Sequence, residues 1–128
     1  MAKTILSSPR IAQVPGAPYS PGTKAGNQVF VAGMVALNQT GQLVGKGDIR
    51  AQTGQVLENV KAILEAGGAQ MSDVVKTTVY ITDLANFAAM NEIYKSYFTS
   101  EPPARATVKA ELVNKDFLVE IDAIAMTG

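Results

Sequence analysis

Two stretches of the chain repeat their apolar residues at helical spacing. From Ile49 onward these fall at Val56, Leu57, Val60, Ile63 and Leu64, the 3.6-residue period of a helix with one buried stripe. Asp48 supplies an N-cap, and Gly67-Gly68 ends the run. Glu58 and Glu65 lie toward its polar side and read as solvated. A second helix is predicted from Leu84 to about Thr99, capped by Asp83, with a stripe of Leu84, Phe87, Met90, Tyr94, Tyr97 and Phe98. Pro102-Pro103 forbids its continuation. Asn91 interrupts this stripe. A polar group on a buried face needs a partner, either nearby backbone or a ligand.

The β-forming runs are Lys3 to Leu6, Gln28 to Met34 and Asp73 to Thr82. Short strands at Val35 to Leu37 and Gln42 to Val44 flank a turn at Asn38-Gln39-Thr40-Gly41. Gly33 inside its strand marks a bend, a bulge or a close approach by another backbone or a ligand. Between Pro9 and Gly22 prolines and glycines crowd together, so this segment is a loop. Its one aromatic, Tyr19, is either a packing anchor or a lid over a pocket.

Alternation returns at Ala104 to Leu112 and at Phe117 to Ala125, which read as a hairpin. Arg105, Thr107, Lys109 and Glu111 share one face of the first strand; Leu118, Glu120, Asp122 and Ile124 share one face of the second. A turn near Asn114-Lys115 sets Glu120 opposite Lys109 as an ordinary cross-strand ion pair. Arg105 then lies roughly 13 Å further along the strand. On spacing alone, Arg105 and Glu120 are surface charges that a carboxylate ligand and a water would have to bridge.

The order is strands, helix, strand, helix, two strands, an α+β arrangement in one domain spanning residues 1–128. Two helices cover one face of the sheet. The other face is partly apolar, and subunit association is its natural cover. Composition agrees: 47% of residues are apolar and only 17% charged, below the usual quarter. Eleven basic and eleven acidic residues leave no net charge, which argues against a general nucleic-acid binder. Cysteine and histidine are both absent. That removes disulfides, thiol nucleophiles, His-based triads and the commonest zinc ligands. No N-terminal segment has an apolar core of signal-peptide length, and no run approaches the roughly 18 apolar residues of a membrane span. The expected location is cytoplasmic, away from membranes.

Several pieces, in order, together resemble the RidA (YjgF-type) family of imine/enamine deaminases. They are Gly16-Ala17-Pro18-Tyr19-Ser20, Val29-Phe30-Val31-Ala32-Gly33, Asn59 to Gly67, Val75 to Tyr80, Met90-Asn91-Glu92-Ile93-Tyr94, Pro103-Ala104-Arg105 and Val119 to Ala125. The resemblance implies a chorismate-mutase-like mixed sheet with two helices on one face. It implies a homotrimer, a central barrel of three sheets, and sites between subunits. It also implies hydrolysis of 2-enamino or 2-imino acids, such as 2-aminoacrylate and 2-iminopropanoate, to 2-oxo acids and ammonia. No metal or organic cofactor is implied.

Position by position, the resemblance makes Arg105 the clamp for the substrate carboxylate and Glu120 the acid that positions the attacking water. Thr107 contributes backbone near that water, Tyr19 stands at the cleft, Gly33 offers a backbone contact and Asn91 is a polar neighbour. The chain departs from the common pattern at Ala32, Met34 and Thr107, where serine, glutamine and cysteine are frequent. Those changes bear on substrate preference more than on reaction type. A non-catalytic trimer binding small carboxylates or a protein partner is the alternative, and a ribonuclease a more distant one.

Overall fold

The computed structural model describes residues 2–128. Six strands form one mixed sheet: β1 (Thr4–Leu6), β2 (Gly22–Ala25), β3 (Gln28–Met34), β4 (Val74–Ile81), β5 (Ala104–Lys109) and β6 (Val119–Met126). Their spatial order is β1-β2-β3-β6-β4-β5. Helices α1 (Ile49–Ala66) and α2 (Phe87–Tyr97) complete the α+β architecture.

Helix α1 forms where its periodicity places it. Asp48 accepts a hydrogen bond from the Ala51 N–H, and the Gly67 N–H returns to the carbonyls of Ile63 and Leu64. Val56, Leu57, Val60, Ile63 and Leu64 are wholly buried, against β3 and β6. Each contributes about 1.5–3 kcal/mol through the apolar surface it removes from water. The same stripe buries Gln52, which ties the helix to distant backbone. Its Nε2 donates to Gly45 O (3.1 Å) and Asp116 O (2.9 Å), and its Oε1 accepts from Leu118 N (2.8 Å). Glu58 and Glu65 are exposed as expected, but each has a partner: Tyr97 Oη donates to Glu58 (2.6 Å), and Arg10 pairs with Glu65 (2.6 Å).

The second helical stretch differs from its predicted form. Leu84–Asn86 is a 3-10 turn, and α2 begins only at Phe87. Met90, Tyr94 and Phe98 are buried, whereas Leu84 and Phe87 are exposed. Strand β2 lies at the end of the predicted loop. It is joined to β3 by a two-residue turn, Gly26-Asn27, with Gly26 at φ 58°. The strands expected around Asn38–Gly41 reduce to a single bridge, Leu37 to Leu43.

The predicted hairpin does not form. Strand β4 lies between β5 and β6, pairing with β5 in parallel and with β6 antiparallel. Parallel strands need a crossover, and α2 supplies it from β4 to β5. The stretch from Ala110 to Leu118 is longer than a hairpin turn. Lys109 is therefore level with Ile81, Glu120 is level with Tyr80, and the expected Lys109–Glu120 pair does not exist.

Both helices pack on one face, over Val29, Val31, Val79, Ile121 and Ala123. The opposite face carries Phe30 against Ile124 and, further along, Tyr80 against Glu120. Phe30, Val108 and Met126 are exposed there.

Candidate functional site

Register fixes where the two proposed charges point. Arg105 is level with Thr77 on β4, and Thr77 with Ala123 on β6; both neighbours are buried under the helices. Arg105 therefore projects on the helix-covered face, with Thr107 two residues along. Glu120 is level with Tyr80 and projects on the open face. Two strand spacings and three residues separate Arg105 from Glu120, about 14 Å between Cα atoms. Within one chain the two side chains lie on opposite faces of the sheet.

The Arg105 guanidinium is held in one orientation. Its Nη1 donates to Asn91 Oδ1 at 2.8 Å. Its central carbon lies 4.7 Å from the Tyr94 ring centroid and 5.7 Å from that of Phe87. Cations favour such ring faces. The Tyr94 ring is itself fixed, because its hydroxyl shares a 2.7 Å hydrogen bond with Thr77 Oγ1 on β4. Burial pushes the Tyr94 phenol above its ordinary pKa, so it stays neutral. The chain β4–Tyr94–Arg105 thus aims a cationic fork into an open groove lined by Asn91, Lys95, Phe98, Pro102 and Pro103. None of the ion pairs among the described residues involves Arg105. Most of its five donors remain open to a planar anion.

Phe87, Asn91 and Tyr94 reach Arg105 together because positions i, i+4 and i+7 share one helix face. Sequence reading placed all three on one stripe but treated the two aromatics only as core. The signal was present in their spacing around a polar residue.

On the other side, Glu120 lies directly over Gly33. A Cβ at Gly33 would overlap the Glu120 carboxylate, with the carboxyl carbon only 2.8 Å away. Strand β3 also breaks register between Val31 and Met34. The irregularity expected at Gly33 is therefore present, but the group that approaches it closely is the Glu120 side chain, not another backbone or a ligand. Burial, and secondarily the charge of Asp122, push the Glu120 carboxyl above its ordinary pKa. Asp122 is anchored by the Tyr80 hydroxyl (3.1 Å) and the Thr78 N–H (3.2 Å). A carboxyl with a raised pKa is a better proton acceptor when ionised and a usable donor when neutral.

Tyr19 is largely exposed. It stands at the edge of a cavity that also borders Gly33. The six predicted positions thus divide in two: Arg105, Thr107 and Asn91 belong to the β5–α2 edge, and Tyr19, Gly33 and Glu120 to the β3–β6 region.

Sheet, crossover and groove define an α+β protein that presents an oriented guanidinium beside one sheet edge and a half-buried carboxyl on the opposite face. The sequence profile of the family described as Endoribonuclease L-PSP matches residues 10–127, so the chain belongs to that family, the YjgF/RutC/Rid group. A RutC family protein of Pyrococcus abyssi is 49% identical over 126 residues, covering 98% of each chain. The crystal structure of the YjgF gene product of E. coli superposes with a TM-score of 0.90 at 37% identity, covering 98% of this chain and 99% of that one. E. coli TdcF, solved with bound serine, gives a TM-score of 0.89 at 37% identity over 98% and 99% of the two chains. Membership is compatible with a deaminase or small-molecule-binding role. Among the described residues, no helix is long and apolar enough to cross a membrane.

Proposed function

We propose that this chain is a hydrolytic deaminase converting 2-imino and 2-enamino acids to 2-oxo acids and ammonia, without metal or organic cofactor. The observation that carries the reading is the Arg105 fork, oriented by Asn91, Tyr94 and Phe87 yet free of any carboxylate partner. A guanidinium so held grips a planar carboxylate through two parallel bonds. The reacting carbon is next to that carboxylate, so the grip positions it.

Because Arg105 and Glu120 face opposite ways in one chain, the site needs two copies. In a homotrimer the Arg105 edge of one subunit meets the Glu120 face of the next, forming three equivalent sites. The edge of β5 and the exposed Phe30, Val108 and Met126 are the surfaces such an assembly covers.

Water held by Glu120 and by backbone at Thr107 adds to the C=N carbon. Glu120 takes the proton from that water and delivers it to the nitrogen. In the resulting tetrahedral adduct Glu120 takes the hydroxyl proton and passes it to the amino group, so the C–N bond breaks, ammonia leaves and the C=O of the 2-oxo acid forms. An iminium carbon is already electrophilic, so orientation supplies most of the acceleration. One carboxyl suffices for the proton transfers. Tyr19 closes the mouth and Gly33 leaves room for Glu120. The ribonuclease in the family's description is not adopted, because the chain has no net charge and no histidine.

The test is ammonia release from 2-iminopropanoate generated in situ. Wild type accelerates it; Arg105→Ala abolishes the effect while the assembly persists. Binding of a 2-oxo acid at Arg105 with no acceleration would reduce the protein to a carboxylate-binding module.

A further inference from the structure

We infer that Tyr80 is a positioning residue for the proposed reaction: its hydroxyl pins Asp122, and the pinned carboxylate makes Glu120 hold a proton until the nitrogen of the adduct takes it. The consequence rests on the deaminase reading; the geometry does not. Asp122 and Glu120 share one face of β6, two residues apart, so about 7 Å separates their Cα atoms. On β4, Tyr80 is level with Glu120 and Thr78 with Asp122. The Tyr80 side chain nevertheless passes its register partner and reaches diagonally to Asp122 Oδ2 (3.1 Å), while the Thr78 N–H donates to Asp122 Oδ1 (3.2 Å).

Both oxygens of Asp122 are thereby held from β4, at a fixed distance from Glu120. Burial, and then the charge of Asp122, push the Tyr80 phenol above its ordinary pKa, so the hydroxyl keeps its proton and remains a donor. Lys76 is level with Ile124, two residues beyond Asp122, and forms no ion pair among the described residues. Strand β5 sets Ala106 and Val108 beside Thr78 and Tyr80, and β3 presents Gly33 to Glu120; none of these is titratable. Among the described residues, Asp122 is therefore the charged neighbour that bears on Glu120. In the proposed trimer, Arg105 of the partner subunit also faces this site; it is common to wild type and variants, so it cancels in their differences.

Such a neighbour suits a group with two tasks. Glu120 draws a proton from water and then gives it to nitrogen. A fixed negative charge nearby disfavours the ionised glutamate, which makes it the stronger base when ionised. A carboxylate released into water would be screened and would act on it less. Tyr80 thus acts on Glu120 through Asp122 and touches no reacting atom.

The experiment follows the Glu120 carboxyl by carbon NMR in the intact protein labelled at its glutamates, with Glu120→Gln identifying the signal. Asp122→Asn keeps the shape, removes the charge and lowers the Glu120 midpoint by about one pH unit. Tyr80→Phe removes only the hydroxyl and lowers the midpoint in the same direction, by about 0.3–0.5 unit. In the double variant the midpoint stays where Asp122→Asn alone puts it. The acidic limb of kcat/KM for 2-iminopropanoate moves with the midpoint, while KM at the pH optimum, set by the Arg105 clamp, stays within about twofold of wild type. An unmoved midpoint in Tyr80→Phe makes the bond a structural cross-strand contact and overturns the inference. Shifts that add in the double variant overturn it too, because Tyr80 would then act on Glu120 without Asp122. A moved midpoint with an unmoved limb in an active enzyme overturns the consequence for the reaction. If wild type hydrolyses no imine, the deaminase reading falls, and the NMR midpoints still decide whether Tyr80 acts on Glu120 through Asp122.

Discussion

The opposed orientation of Arg105 and Glu120 makes a quantitative prediction about mixed assemblies. Either single change, Arg105→Ala or Glu120→Gln, removes a group that no neighbour in the same chain replaces. Each is expected to lower kcat/KM by about 100-fold or more, the scale of losing a charged partner at a desolvated site. Co-expression of the two variants tells a different story. If each site draws Arg105 from one subunit and Glu120 from the next, half the sites receive an intact arginine. Half of those also receive an intact glutamate. Equal random mixing therefore restores about one quarter of wild-type activity per site over the whole population, and about one third in mixed trimers purified away from the two pure ones, each of which has one intact site. If both groups came from one chain, every site would lack one of them, and the mixture would stay at the level of the single variants. The assay is ammonia release by purified mixed assemblies carrying two different affinity tags, with subunit composition checked by native mass spectrometry. Activity at the single-variant floor in confirmed mixed trimers would refute the trans arrangement.

Four further outcomes follow from particular contacts. Gly33→Ala places a methyl group where the Glu120 carboxylate sits. The flexible end of Glu120 swings away, so kcat falls about 100-fold while stability changes by less than about 1 kcal/mol in urea titration. Glu120 is raised above its ordinary pKa by burial and then by Asp122. The fold therefore favours the neutral form, and stability associated with this group is lost as pH rises through its folded-state pKa. Glu120→Gln should unfold at higher urea than wild type at pH 7, with the advantage gone below about pH 4. Asp122→Asn should shift the acidic limb of the kcat/KM profile to lower pH, and an unmoved limb would exclude Glu120 as the titrating group. Gln52→Ala strands three partly buried backbone groups and should cost about 2–4 kcal/mol, read as a lower urea midpoint at unchanged slope.

Helix α1 was legible because its stripe, cap and terminating glycines agree with one another and with the packing they produce. The Pro/Gly loop was legible for the same local reasons. Strand β2 escaped because four residues beside a Pro/Gly-rich tract carry little periodicity, although Gly26-Asn27 is a turn signal. The pairing of β5 with β6 was misread because adjacency in sequence favours a hairpin. What decides instead is that α2 carries the chain across β4, a choice made by tertiary packing. Arg105 and Glu120 could be selected as charges on strands, but their faces depend on register relative to β4, which no residue in either strand encodes. The aromatic seat under Arg105 lay in plain spacing on α2. Its purpose emerged only when β5 brought the guanidinium to it.

The partner that holds Arg105 is an amide, not a carboxylate. Asn91 fixes direction without neutralising charge, so the groove carries an uncompensated cation whenever it holds no ligand. On the proposed deaminase reading, acetate, citrate and the 2-oxo acid product would compete for the same two bonds as the substrate, and rates measured in carboxylate buffers should fall below those in a zwitterionic amine buffer. Replacing Asn91 by Asp would reverse this: the site would become indifferent to buffer anions at the cost of its grip on substrate.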